Sequence, residues 1–175
     1  MNDDSFLCES CEREHSSLPT DQGFQLPDEV HALGHVERYR RSRFNSDLCT
    51  LDESKYFLRA VLPLAFTEKE GAFHWGAWVE VSKADHDWYA DISEHQKPGV
   101  RRFRGRLAND VPGYGGTLGV EVEVQTREDG YRPFLHFRAD VSNALAQEQS
   151  QGVSNKRHHE ILETVGFFTE EGDDV

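Results

Sequence analysis

The stretch Gly71–Ser82, GAFHWGAWVEVS, has the alternation of a strand. Phe73, Trp75, Ala77, Val79 and Val81 fall on one side, and His74, Trp78 and Glu80 on the other. The first side is almost wholly apolar and is expected on the main core. The second carries a polar group at each end, so it is expected to be only partly covered. The run KYFLRAVLPLAF, 55–66, is apolar apart from its polar start and Arg59, as in a strand buried on both faces. Pro63 within it calls for a bulge or a strand end. The loop TEKEG joins the two strands as a hairpin.

The same reading places the other elements. Pro27 opens a helix over Asp28–Arg43, with Val30, Leu33, Val36 and Tyr39 as its apolar stripe. Asp28 and Glu29 suit its first turn, and Arg38, Arg40, Arg41 and Arg43 its last. Ser82 caps a second helix over Lys83–Glu94, with Asp85 three residues on. VRRFRGRLA, 100–108, reads as an edge strand. TLGVEVEVQTR, 117–127, is a strand with Leu118, Val120, Val122 and Val124 inward. Asp129-Gly130 turns the chain into RPFLHFRAD, the last strand. Ser142 and Ser154 cap two short helices, Gly152 ends the first, and the acidic tail EEGDDV is frayed. Consecutive strands with short turns give an α+β fold: an antiparallel sheet of about five strands, helices packed on one face, and an N-terminal segment like a zinc knuckle. Residues 1–50 hold the knuckle and first helix, packed on a main domain at 51–175, as a single structural unit.

Charge narrows the choice of partners. The 175 residues carry a formal net charge of −13, which opposes binding to nucleic acid or an anionic membrane and favours a protein partner with a basic surface. The hydrophobic fraction of 37% supports a folded chain. Residues 1–14 hold five acidic side chains and no apolar run, so no signal peptide is expected. With three cysteines, an odd number, no closed disulfide framework is implied. A reducing cytoplasm is the expected location, where paired thiols bind metal more readily than they form disulfides.

Cys8 and Cys11 form a CxxC, with His15 four residues later. Thiolates of such a turn converge on one point and suit two corners of a tetrahedral, structural zinc site. Two completions are open. One is Cys8, Cys11, His15 and Cys49; it accounts for the third thiol. The other takes His31 and His35, one turn apart on the first helix, with the CxxC pair. A second cluster, Arg59, His74, Trp78, Tyr114, Arg132 and His136, is a possible ligand face for an anion if the less apolar side of the sheet brings it together. The alternative is that these arginines pair with Glu80, Glu121 and Glu123. DVPGYGGT lacks the lysine and spacing of a phosphate loop and reads as a turn.

Taken together, Cys8-x-x-Cys11 with His15 and Leu18-Pro19, Asp47-Leu48-Cys49, Phe57-Leu58-Arg59, Trp75-Gly76-x-Trp78-Val79, Pro112-Gly113-Tyr114 with Thr117-Leu118, Arg132-Pro133, and Leu145-Ala146-x-Glu148-Gln149 with Gly152 resemble the bacterial "domain of unknown function 2199" family over nearly the full chain. That family often has glycine after the CxxC, where this chain has Glu12. The resemblance implies a fold and Cys49 as the third sulfur ligand; it implies no reaction.

No GxSxG or other nucleophile–base pattern is present. The expected function is therefore a non-enzymatic protein-binding module with a structural zinc. A sharper form is an immunity or inhibitor protein that neutralises a basic toxin. The competing class is an enzyme or small-anion binder that uses the Arg/His face.

Overall fold

The computed structural model describes residues 6–15, 17–97 and 99–168; the acidic tail lies outside them. Strands β1 (Phe6–Leu7) and β2 (Glu14–His15) pair antiparallel around the CxxC turn. Strand β3 (Asp21–Gly23) follows. The expected single helix is two, α1 (Asp28–His31) and α2 (His35–Arg41). The break is at Gly34, which is extended at φ −61°, ψ 158°. Arg38 reaches back from α2 and donates to the carbonyls of Val30, His31 and Leu33, acceptors that an unbroken helix would have used itself. The turn at Gly34 carries the stripe away from the core. Val30 is buried, but Val36 and Tyr39 are 58% and 78% exposed. The last turn of the expected helix is strand β4 (Ser42–Phe44).

Strands β5 (Leu48–Leu51), β6 (Lys55–Ala65) and β7 (Ala72–Val81) come next, the last two as the expected hairpin. Helix α3 (Lys83–Glu94) starts at Ser82, whose hydroxyl accepts the Asp85 amide at 3.1 Å. Then come β8 (Arg102–Leu107), β9 (Glu121–Gln125) and β10 (Phe134–Phe137). Helix α4 (Ala144–Gln151) is capped by Asn143 rather than Ser142, and α5 (Asn155–Thr164) by Ser154. Leu118, expected inward, is 56% exposed. It lies in a turn pinned by Thr117, whose hydroxyl donates to the Asn109 carbonyl and accepts the Val111 amide.

The expected simple antiparallel sheet is instead a closed, mixed barrel of five strands, β6 to β10. Each strand is antiparallel to the one before it. With an odd number of strands, such a meander closes only if its first and last members run parallel, and β10 lies parallel to β6 at Phe134 and Val61. Strands β6 and β7 outrun the barrel. Their free lengths take β5 with β4 on one side and β3, parallel, on the other. A closed barrel offers no single face for helices; α3 and α4 both pack on β6.

Closure at β10–β6 is short, and a side chain completes it. Pro63 sits mid-strand opposite His74, without a bulge. The His74 amide points outward, to the Thr20 carbonyl, so the two residues exchange no hydrogen bonds and the missing Pro63 N–H falls on the β10 side. There Gln149 of α4 donates to the Pro63 and Leu135 carbonyls and accepts the Phe137 amide. Gln149→Leu leaves these partly buried backbone groups without partners, and we expect a loss of about 2–3 kcal/mol. A lower urea midpoint at unchanged m-value would report it; a midpoint within error of wild type would show that the barrel closes without this side chain.

The apolar side of β7 lies in the main core, as expected: Phe73, Trp75, Ala77 and Val79 are fully buried with Leu62, Val124 and Leu135. The other side is not half-open. Trp78 is also fully buried, in a second core with Leu26, Val30, Cys49, Leu51 and Phe57. Its indole N–H donates to the Phe24 carbonyl at 3.2 Å. Buried Asn109 secures this layer: its Oδ1 accepts the Trp78 amide, and its Nδ2 donates to the Leu26 carbonyl and to Asp28 Oδ1.

Candidate metal centre

The CxxC turn is tight. The Cys8 amide donates to the Arg13 carbonyl, and the Glu12 amide to the Cys8 carbonyl, both at 2.8 Å. Glu12 is thereby held at φ +56°, a left-handed position that glycine occupies more easily by about 1 kcal/mol. Burial opposes ionisation of the Cys8 thiol, but hydrogen bonds from the Ser10 and Cys11 backbone outweigh it and hold the pKa below the usual thiol value. The turn therefore eases loss of the Cys8 proton, and the thiolate is the form that binds metal.

The β1–β2 ribbon returns His15 beside the turn, with its Nε2 3.2 Å from Cys11 Sγ. A fourth donor arrives from the far end of the chain. His159 of α5 is 2% exposed, its ring stacked on Phe168 at 4.3 Å. Its Nδ1 lies 3.6 Å from the Glu163 carboxylate one turn on. Its Nε2 is buried with no hydrogen-bond partner among the described residues. The ligand atoms of Cys8, Cys11, His15 and His159 all lie within 4.8 Å of one another. Zinc bond lengths put tetrahedral ligands about 3.3–3.8 Å apart, so small adjustments would complete a sphere. Two thiolates and two imidazoles are ligands zinc prefers, and a carboxylate behind one imidazole is the usual outer support. This group could hold a metal ion.

Three residues considered from the sequence stand elsewhere. Cys49, expected as the third sulfur, pairs with Phe57 across β5–β6 and is buried in the second core, where loss of solvent pushes its thiol up to about 12. His31 and His35 lie on different helices, both exposed, because the break at Gly34 removes their one-turn spacing. His159 was missed, since nothing in KRHHE separates it from its neighbour. His158 is a satisfied core histidine, with Nε2 at 2.7 Å from the Pro19 carbonyl and Nδ1 at 3.1 Å from Lys69 Nζ. Only the turn of α5 decides which of the two faces the knuckle.

The burial of Cys49 gives a thiol count. At pH 8 about one part in 10⁴ of a thiol with that pKa is ionised. In native, chelator-treated protein we expect Cys8 and Cys11 to react with a disulfide reagent and Cys49 to react only on unfolding. A third fast thiol in the native state would place Cys49 outside the core.

The Arg/His cluster is divided. Tyr114 belongs to the main core, edge-on to Trp75, and its hydroxyl donates to Glu148 at 2.6 Å. Trp78 is covered by the second core. His136 lies opposite Glu123, with its pKa lowered by burial, and His74 opposite Pro63 and Asp21. Arg132 donates to Asp47 Oδ1 at 2.7 Å rather than to Glu80, Glu121 or Glu123. Arg59 lies beside this pair. A cleft of about 1020 Å³ opens next to it, lined by Asn45, Tyr89, Lys97, Arg127, Tyr131 and Arg132. Its cations are paired: Arg132 with Asp47, Arg127 with Asp129 and Lys97 with Asp91.

A family model described as an uncharacterized protein conserved in bacteria, DUF2199, matches residues 7–153. The chain belongs to the DUF2199 family. The DUF2199 match takes in Cys8, Cys11 and His15 and stops short of α5, so His159 lies beyond it. No curated protein and no solved structure matches the chain. Among the described residues, no helix is long and apolar enough to cross a membrane.

Proposed function

We propose that this DUF2199 chain is a non-enzymatic protein-binding module whose Cys8, Cys11, His15 and His159 hold a structural zinc ion. The observation that carries the zinc reading is the convergence of four soft donors, one of them a buried imidazole nitrogen with no other partner among the described residues. Four protein ligands fill a tetrahedral sphere and leave no open position for a substrate, so the metal's work is to fasten the N-terminal ribbon to α5. The paired charges of the cleft support a binding role over a catalytic one. The net charge of −13 favours a partner with a basic surface, attracted over long range.

Elemental analysis of protein purified without added metal tests the site. About one zinc per chain is expected, kept in Cys49→Ala and lost in Cys8→Ser and His159→Ala. Zinc kept by His159→Ala and lost from Cys49→Ala would overturn the ligand set. For a partner captured from the native cell, association is expected to slow as the Debye length falls from about 10 Å at 0.1 M salt to 3 Å at 1 M. A rate indifferent to salt would remove the electrostatic argument.

A further inference from the structure

Among the described residues, Arg59 is a part-buried cation with no ion pair and with its Nε shielded and unpartnered. It stands on β6 opposite Trp78, and its own amide donates to the Asp47 carbonyl. Its side chain extends toward β3, where a Cβ on Gly23 would sit 3.1 Å from its Nη2. Gly23 pairs with Gly76 in register, so two residues without side chains leave room along this path. The Nε is shielded from solvent and has no hydrogen-bond partner among the described residues. The residue as a whole is only partly buried.

The neighbouring charges do not balance. Two guanidinium groups, Arg59 and Arg132, share one nearby carboxylate, Asp47. That carboxylate is already engaged by Arg132 Nε at 2.7 Å and by the Ser46 hydroxyl at 2.5 Å. No ion pair joins Arg59 to an acidic residue among those described. Loss of solvent, then repulsion from Arg132, lowers the Arg59 pKa, and Asp47 only partly opposes them. A half-buried guanidinium in surplus positive charge calls for an acceptor.

We propose that Arg59, with Arg132 beside it, binds the carboxylate group of a small anionic ligand on the outer face of β6. A guanidinium presents donors in a planar fork that a carboxylate matches with two parallel hydrogen bonds. The site is separate from the Cys/His group, and the inference goes beyond the zinc-fastened binding module without depending on it.

The Arg59 Nε–Hε resonance is a direct reporter, because that proton is shielded from solvent. It is identified as the side-chain signal missing in Arg59→Lys. Titration with sodium acetate, against sodium chloride at matched ionic strength, is expected to move it along a saturating curve in acetate only. Arg132→Gln, which keeps Arg59 but removes the second charge, is expected to weaken acetate binding about tenfold. A signal that moves equally in chloride and acetate overturns the site. One that moves with inorganic phosphate but not acetate overturns the carboxylate assignment. Unchanged acetate affinity in Arg132→Gln overturns the paired-arginine reading. Unaltered backbone resonances in both variants would show that the fold is kept.

Discussion

Trp78→Ala is expected to destabilise the protein as much as Trp75→Ala, by about 3–5 kcal/mol each. Both indoles are fully buried, but they serve different cores. Trp75 fills the barrel, with Phe73 at 5.3 Å and Tyr114 at 6.4 Å between ring centres, and its Nε1 makes no hydrogen bond among the described residues. Its loss is a packing loss alone. Trp78 packs under α1 with Phe57 and Leu26, and its N–H also satisfies the Phe24 carbonyl. Removing it opens a cavity and strands a carbonyl. Urea midpoints followed by circular dichroism compare the two. A loss at Trp78 well below that at Trp75 would show that the second core yields and refills the space.

The alternation in β7 assigned its two faces correctly, yet it could not show what covers the second. His74 and Glu80 flank Trp78 and suggest an open surface, whereas the cover comes from Leu26 and Val30, some fifty residues earlier. Local signals fared better. Ser82, Ser154 and Gly152 mark helix ends as read, because a cap depends on atoms within a few residues. The break at Gly34 was hidden because one glycine is tolerated in a helix, and the compensation by Arg38 shows only in three dimensions. Barrel closure was hidden for a stronger reason. The parallel contact joins residues 61 and 134, and no periodicity in either strand encodes a partner that distant. The same limit applied to the candidate metal centre. Cys8, Cys11 and His15 stand together in sequence, while the fourth donor depends on where α5 docks.

That docking sets the second large effect. Chelation of the zinc-loaded protein is expected to lower its unfolding free energy by about 4 kcal/mol when free zinc had been present at 1,000 times the dissociation constant. An ion held by the Cys/His group would link residue 8 to residue 159, and so connect the N-terminal ribbon to α5. The barrel core holds together through Leu62, Trp75, Val124 and Leu135, none of which touches that link by sequence or strand pairing. The loss should therefore be local at first. Hydrogen exchange is expected to quicken in 6–15 and around His159 on chelation, while the paired amides of β6 and β7 keep their protection until global unfolding. His159→Ala should reproduce the chelated state and respond no further to chelator. If chelator strips a stoichiometric ion and neither the midpoint nor exchange in 6–15 changes, the metal is a passenger there. The N-terminal segment would then be held to the C-terminal one by contacts such as His15 and His159 on Phe168, and His158 on the Pro19 carbonyl.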